Sequence, residues 1–192
     1  MKYLSEIAKS IPKLAPPKCR HDKIPWRGCY LAEGDDGKAY ENWDDENKVV
    51  KVGFLDRSKS GTSLSNLENN FDYVLNNKPE AYVEVYDYGC VDCRACNISY
   101  FVLMKKLYPL SNNEANTIPA LAIKAQKFSG KNTGTLEQND FLKSLSDKKQ
   151  KTFVKNIWDS GIVHNDIFCG NLMKDENGDY KLIDLDRLTL LK

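Results

Sequence analysis

A chain of 192 residues, 41% of them apolar, suits one domain or two small lobes around a sizeable core. Its 28 Lys and Arg against 27 Asp and Glu leave a formal charge of +1, which gives no electrostatic footprint for nucleic acid or an anionic membrane. No apolar run is long enough to span a bilayer and the start lacks the apolar core of a secretory signal, so the expectation is a cytoplasmic protein whose six cysteines are reduced thiols.

Met1 to Lys18 reads as a short amphipathic piece broken by Pro16-Pro17, part of an N-terminal extension over 1–28. Cys29 to Val52 reads as strands around a Gly-Asp-rich turn. There Gly34, Gly37 and Ala39 follow the spacing of a loop that folds over nucleotide phosphates, with Ala32 where such loops carry their first glycine. Glycines let backbone N–H groups approach phosphate oxygens without interference from Cβ. The same residues also make an ordinary hairpin tip. Asp35 and Asp36 would repel a triphosphate and are expected to face solvent.

Val49-Val50-Lys51-Val52 reads as a strand with a lysine in its middle, either an edge cation in solvent or a point charge for phosphates. The following helix, Ser63 to Leu75, bears on the choice. Leu64, Glu68, Phe71 and Leu75 fall at i, i+4, i+7 and i+11, which puts Glu68 inside the apolar stripe. A carboxylate there is costly unless paired, and Lys51 is the expected partner, with Glu80 and Glu84 as rivals to Glu68.

Val83 to Tyr88 and Ile98 to Leu103 read as strands. Between them lies the CxxCxxC run Cys90, Cys93 and Cys96. A closed zinc site needs four ligands and only distant Cys19 or His21 offers a fourth, so a loop of small residues is the plainer account. Asn112 to Gly134 reads as polar and irregular, with one short helix at Ala120 to Phe128. A helical stretch then carries Phe141, Leu142, Leu145, Phe153, Val154, Ile157 and Trp158, and Gly161 is placed to stop it. The end reads as a hairpin, Asn171 to Lys174 and Tyr180 to Asp186, turned by Asn177-Gly178 through positive φ angles. The order implies a sheet-rich lobe over 1–104, a helical lobe over 105–192, and a ligand cleft with its hinge near Met104 to Leu107.

The most specific run is His164-Asn165-Asp166-Ile167-Phe168-Cys169-Gly170-Asn171, which fits H-x-D-x-x-x-x-N at every fixed position. In it Asp166 accepts or orients the proton of an attacking hydroxyl, Asn171 ligates magnesium, and His164 braces the loop. Leu182-Ile183-Asp184-Leu185-Asp186 follows. Strand alternation would put Leu182, Asp184 and Asp186 on one face. Clustered carboxylates of that kind argue for Mg²⁺.

This ordered series resembles the protein-kinase superfamily from about Cys29 through Leu188. The resemblance implies an α+β, two-lobe kinase-like fold with a β-rich N-lobe and a truncated helical C-lobe, and ATP with Mg²⁺ as cofactors. In that alignment Lys51 reaches the phosphates and pairs with Glu68. Met104 is the gatekeeper, and the backbones of Lys105 and Leu107 contact adenine. Asp184 stands at the metal-binding Asp of D-F-G, with Leu185 for Phe and Asp186 for Gly. No activation segment, A-P-E or large C-terminal helices are expected after Asp186. The chain is most similar to minimal kinases that bacterial pathogens inject into host cells and to phage-encoded kinases. That implies a Ser/Thr protein kinase acting on host or cellular proteins, and leaves room for an activating partner. His164-Asn165-Asp166 with Asn171 also resembles choline, ethanolamine and aminoglycoside kinases, so a small-molecule acceptor is the alternative. The alanine at 32 and the missing segments keep a third reading, a pseudokinase-like binding module.

Overall fold

The structure, a computed structural model, describes residues 30–34, 37–42, 45–55, 62–93, 97–130 and 134–191. The N-terminal extension, Asp35, Asp36, Cys19, His21, Cys29 and Cys96 lie outside them. The fold is α+β, and the chain forms two compact units. One holds residues up to Leu75 together with Val85–Lys106. The other holds Asn76–Glu84 and Leu107–Lys192. The excursion of residues 76–84 into the second unit has no counterpart in a division at 104/105.

The first unit is an antiparallel sheet of β1 (Tyr30–Gly34), β2 (Gly37–Glu41), β3 (Lys48–Leu55), β4 (Val85–Cys93) and β5 (Asn97–Lys105), in the order β1-β2-β3-β5-β4. Strand alternation sorts β3 into two faces. Val50 and Val52 join Phe101, Tyr40, Phe54 and Leu103 in one apolar cluster. The opposite face receives α1 (Leu64–Asn77), whose Phe71 packs on Tyr88 and Tyr100 at ring separations of 5.2 and 5.6 Å. Ser63 starts α1 by accepting the Asn66 N–H on its hydroxyl at 3.1 Å, an N-cap contact. The helix buries Leu67, Asn70, Phe71 and Val74. Fully burying a side chain such as Leu67 or Phe71 contributes roughly 1.5–3 kcal/mol.

In the second unit, α2 (Asn112–Gln126) overlaps the short helix expected at Ala120 to Phe128 but begins eight residues earlier, in the stretch expected to be irregular. Its start is fixed by a capping box: Ser111 Oγ accepts the Glu114 N–H, while Glu114 accepts the Ser111 N–H at 2.8 Å. The buried face, Ile118, Ala122 and Ala125, has helical spacing but only one large residue, so hydrophobicity gives little signal. The helical stretch that follows is two helices, α3 (Leu136–Ser144) and α4 (Lys148–Asp159). They part at an extended Leu145, and Asp147 caps the second by accepting the Gln150 N–H at 2.8 Å. Trp158 Nε1 donates to Ala125 O at 2.9 Å and Ser129 Oγ donates to Ile157 O at 3.1 Å, tying α2 to α4. Gly161, at φ 65°, follows the end of α4.

Two small sheets complete this unit: β7 (Ile162–His164) with β10 (Leu188–Leu190), and β6 (Tyr108–Pro109), β8 (Leu172–Lys174) and β9 (Tyr180–Leu182) in the order β6-β8-β9. The β8–β9 turn differs from the expected Asn-Gly hairpin, because Gly178 has positive φ and Asn177 does not. Asp175 organises a five-residue loop instead: its Oδ1 accepts the N–H groups of Asn177 (3.0 Å) and Asp179 (2.9 Å). The segment 76–84 joins through a bridge of Tyr82 to Leu182, with Val83 N–H donating to Leu182 O at 2.9 Å. No helix of the described residues is long and apolar enough to cross a membrane.

Candidate functional site

The first unit places Lys51 in mid-strand, in register with Ala39 on β2 and Val102 on β5. Its ammonium lies 5.9 Å from the Tyr100 ring centroid, at the outer range of a cation–π contact and on the α1 side of the sheet. Glu68 is half-buried at the border of the α1 stripe, not in its middle. The stripe runs through Leu67, Asn70, Phe71 and Val74, about one residue round the helix from the expected line, because Phe71 is centred on the two tyrosines. Glu68 faces β4: burial, then the charges of Glu68 and Asp72, push the Cys90 thiol up to about 12. The rival carboxylates belong to the second unit, where Glu84 binds Lys78 at 3.0 Å and Glu80 lies 3.6 Å from Lys181.

Gly34 and Gly37 face each other across the β1–β2 hairpin whose tip is outside the described residues. Gly37 has a packing reason of its own. A Cβ there would collide with Val52 O and come within 2.9 Å of Gly53 Cα. Met104 is buried on β5 between Val49 and Val85, Lys105 is in register with Lys48, and Leu107 belongs to the second unit.

The second unit brings the loop residues together around His164, whose side chain is 1% exposed. Its Nδ1 accepts the Asp166 backbone N–H at 3.2 Å, which assigns the proton to Nε2, and Nε2 donates to Ile183 O at 2.6 Å. One neutral imidazole therefore ties the loop carrying Asp166 to the residue before Asp184. Tyr82 stacks on that ring at 6.3 Å with a 17° interplanar angle. The strand behind it is held by Gln126: its Nε2 donates to His164 O at 3.0 Å and its Oε1 accepts the His164 N–H at 2.8 Å. A carboxamide thus pairs with a backbone as a neighbouring strand would.

Asn171 is buried within a 3₁₀ turn, Cys169–Asn171. Its Nδ2 donates to Asp166 O at 2.9 Å and lies 3.4 Å from Asp166 Oδ2, while its own carbonyl accepts the Ile183 N–H at 3.0 Å. The amide nitrogen is committed to Asp166, so the amide oxygen is the end that a hard cation would take. Arg187 was not foreseen as a site residue. Its guanidinium stands 3.7 Å from Asp166 Oδ2.

The expected alternation of Leu182, Asp184 and Asp186 stops at Leu182, where β9 ends. Asp184 is left-handed at φ 66°, ψ 63°, and Leu185–Arg187 form a 3₁₀ turn. That backbone costs a non-glycine residue about 1 kcal/mol or more, with Asp among the more tolerant types. Leu185 and Asp186 are consequently both buried, and Asp184 is half-buried. Among the described residues no three His, Cys, Asp or Glu side chains form a metal-holding group. Cys90 is a half-buried free thiol on β4, within a strand and not in a turn.

No family model matches the chain, and no curated protein matches it. Among solved structures, WbdD is similar at 15% identity and a TM-score of 0.45, over 85% of this chain and 33% of the WbdD chain. This chain spans about a third of that structure, and similarity at that level carries no argument about activity.

Proposed function

We propose that this protein is an ATP-dependent phosphotransferase with a kinase-like fold, moving the γ-phosphoryl group to a hydroxyl of a host or cellular protein. The observation that carries the reading is the His164 hub. A single buried ring fixes the backbone entering Asp166 and the carbonyl preceding Asp184, while Asn171 fixes Asp166 from the other side. Loops held this way keep an acidic side chain and an amide oxygen in place before any substrate arrives, which is what positioning catalysis needs.

In this reading Asp166 orients the acceptor hydroxyl and takes its proton. His164 holds no proton in transit, because both its nitrogens are committed to backbone groups. Asn171 and Asp184 supply oxygens that suit Mg²⁺, an ion that commonly takes one or two protein ligands and completes its shell with phosphates and water. Magnesium, when bound, offsets phosphate charge. Asp186, a buried carboxylate, stands beside them in sequence as a further oxygen donor. Lys51 contributes charge toward the α- and β-phosphates and Glu68 its orientation. Gly34, Gly37 and Ala39 belong to the strands flanking the phosphate loop, and Met104, Lys105 and Leu107 to the adenine contact.

The test is incubation with Mg²⁺-ATP and a protein extract, for wild type and Asp166→Asn. Protein-bound phosphate that vanishes in Asp166→Asn supports the reading. Label appearing only in soluble amino-alcohols would move the acceptor to the small-molecule class. Thermal stabilisation by nucleotide with no turnover would make the chain a binding module.

A further inference from the structure

We propose that Arg187 is a catalytic residue that binds the γ-phosphate of ATP, an assignment that rests on the phosphotransferase reading above. Its placement is built from the backbone outward. The Arg187 carbonyl accepts both the N–H and the side-chain Nδ2 of Asn165, each at 2.9 Å, and Asn165 is the residue before Asp166. Asn165 Nδ2 also donates to Thr189 Oγ1 at 3.0 Å, and Leu188 pairs with His164 across β7 and β10. Wherever the catalytic loop is set, Arg187 is set with it.

The guanidinium reaches Asp166 Oδ2 at 3.7 Å, with the two side chains 41% and 35% exposed. A pair that open to water adds only about 0–1 kcal/mol to stability, so folding alone is a poor reason for it. From His164 to Asn171 the loop contains no Lys or Arg, although a phosphoryl group transferred at Asp166 needs a cation near its oxygens. Among the described residues, Arg187 is a basic side chain that the fold delivers there. A guanidinium presents a planar fork of N–H donors whose geometry matches phosphate oxygens.

The step balances without any further reactant. The acceptor oxygen forms a bond to Pγ, the bond from Pγ to the β,γ-bridging oxygen breaks, and ADP leaves with that electron pair. The hydroxyl proton passes to Asp166. Arg187 donates to a non-bridging γ-oxygen, and in turning to it releases Asp166 Oδ2 toward the hydroxyl.

The experiment titrates wild type, Arg187→Gln and Arg187→Lys with Mg²⁺-ADP and with the β,γ-imido analogue of Mg²⁺-ATP. Wild type is expected to bind the triphosphate analogue about tenfold to a hundredfold more tightly than ADP, the span of a charge-assisted contact. Arg187→Gln should lose most of that preference at unchanged ADP affinity and unchanged melting temperature, and Arg187→Lys should keep part of it. A preference retained in full by Arg187→Gln overturns the assignment and leaves the ATP reading standing. Equal loss of both nucleotides, or no preference in wild type, also overturns it by marking the residue as structural or remote. Wild type that binds neither nucleotide sinks the phosphotransferase reading, and this assignment with it.

Discussion

The two units hold their candidate residues by different means. In the first, Lys51, Gly37 and Met104 sit within a regular sheet, and their positions follow from strand register and packing. In the second, His164, Asp166, Asn171 and Asp184 lie at or beyond strand ends, and polar bonds between loops fix them. A sheet positions a residue almost for free once the strands pair. A loop must be held by buried, directional contacts, so its holding residues become as informative as the reactive ones. Gln126 and Tyr82 are such residues.

That contrast predicts where substitutions will unfold the protein and where they will only silence it. The largest loss of stability is expected from His164→Ala, about 3 kcal/mol by urea unfolding, because it opens a cavity and strands two backbone groups. Lys51→Met, on a sheet face, should stay within about 0.5 kcal/mol in the same measurement. Equal losses at the two positions would erase the distinction.

Gly37→Ala should cost about 2 kcal/mol, since the new methyl meets backbone atoms of β3 that cannot step aside. If it unfolds nothing yet weakens nucleotide binding, Gly37 serves phosphate and not packing. Gln126→Ala should cost about 1–2 kcal/mol by removing both partners of the His164 peptide. Transfer activity should fall with it.

The smallest effect concerns Glu114, which accepts from Lys174, Ser111 and Tyr180. The bond from Lys174, then that from Ser111, holds its carboxyl at about 2 against an ordinary 4.5, and burial and Glu114 push the Tyr180 phenol up to about 12. A depressed folded-state value means the stabilisation is complete above about pH 4.5 and is lost as the pH falls toward 2. Urea unfolding from pH 5 to 2 should show about 1–2 kcal/mol of this in wild type, reduced because part of the side chain is in water, and a flatter profile in Glu114→Gln.

The strands and α1 were legible because alternation and helical spacing act over many residues at once. Of helix α2 only the part from Ala120 was legible, since two of its three buried residues are alanines; the signal for its start was the Ser111–Glu114 box. The stripe of α1 was misplaced by one residue because spacing alone does not say which neighbour Phe71 will meet. In the H-x-D-x-x-x-x-N run the residue types were legible, and the mutual bonds were not. Extrapolating β9 through Asp186 failed because the backbone turns left-handed at Asp184. Arg187 follows that turn, and nothing in the sequence pattern signals its approach to Asp166.

The most direct measurement is the rate of γ-phosphate loss from Mg²⁺-ATP in the presence of acceptor, for wild type and for Asp166→Asn shown to be folded by its melting temperature. The account predicts a fall of about 10² to 10³ or more at unchanged stability. An Asp166→Asn protein as fast as wild type, or wild type that never turns ATP over with any acceptor, would contradict it.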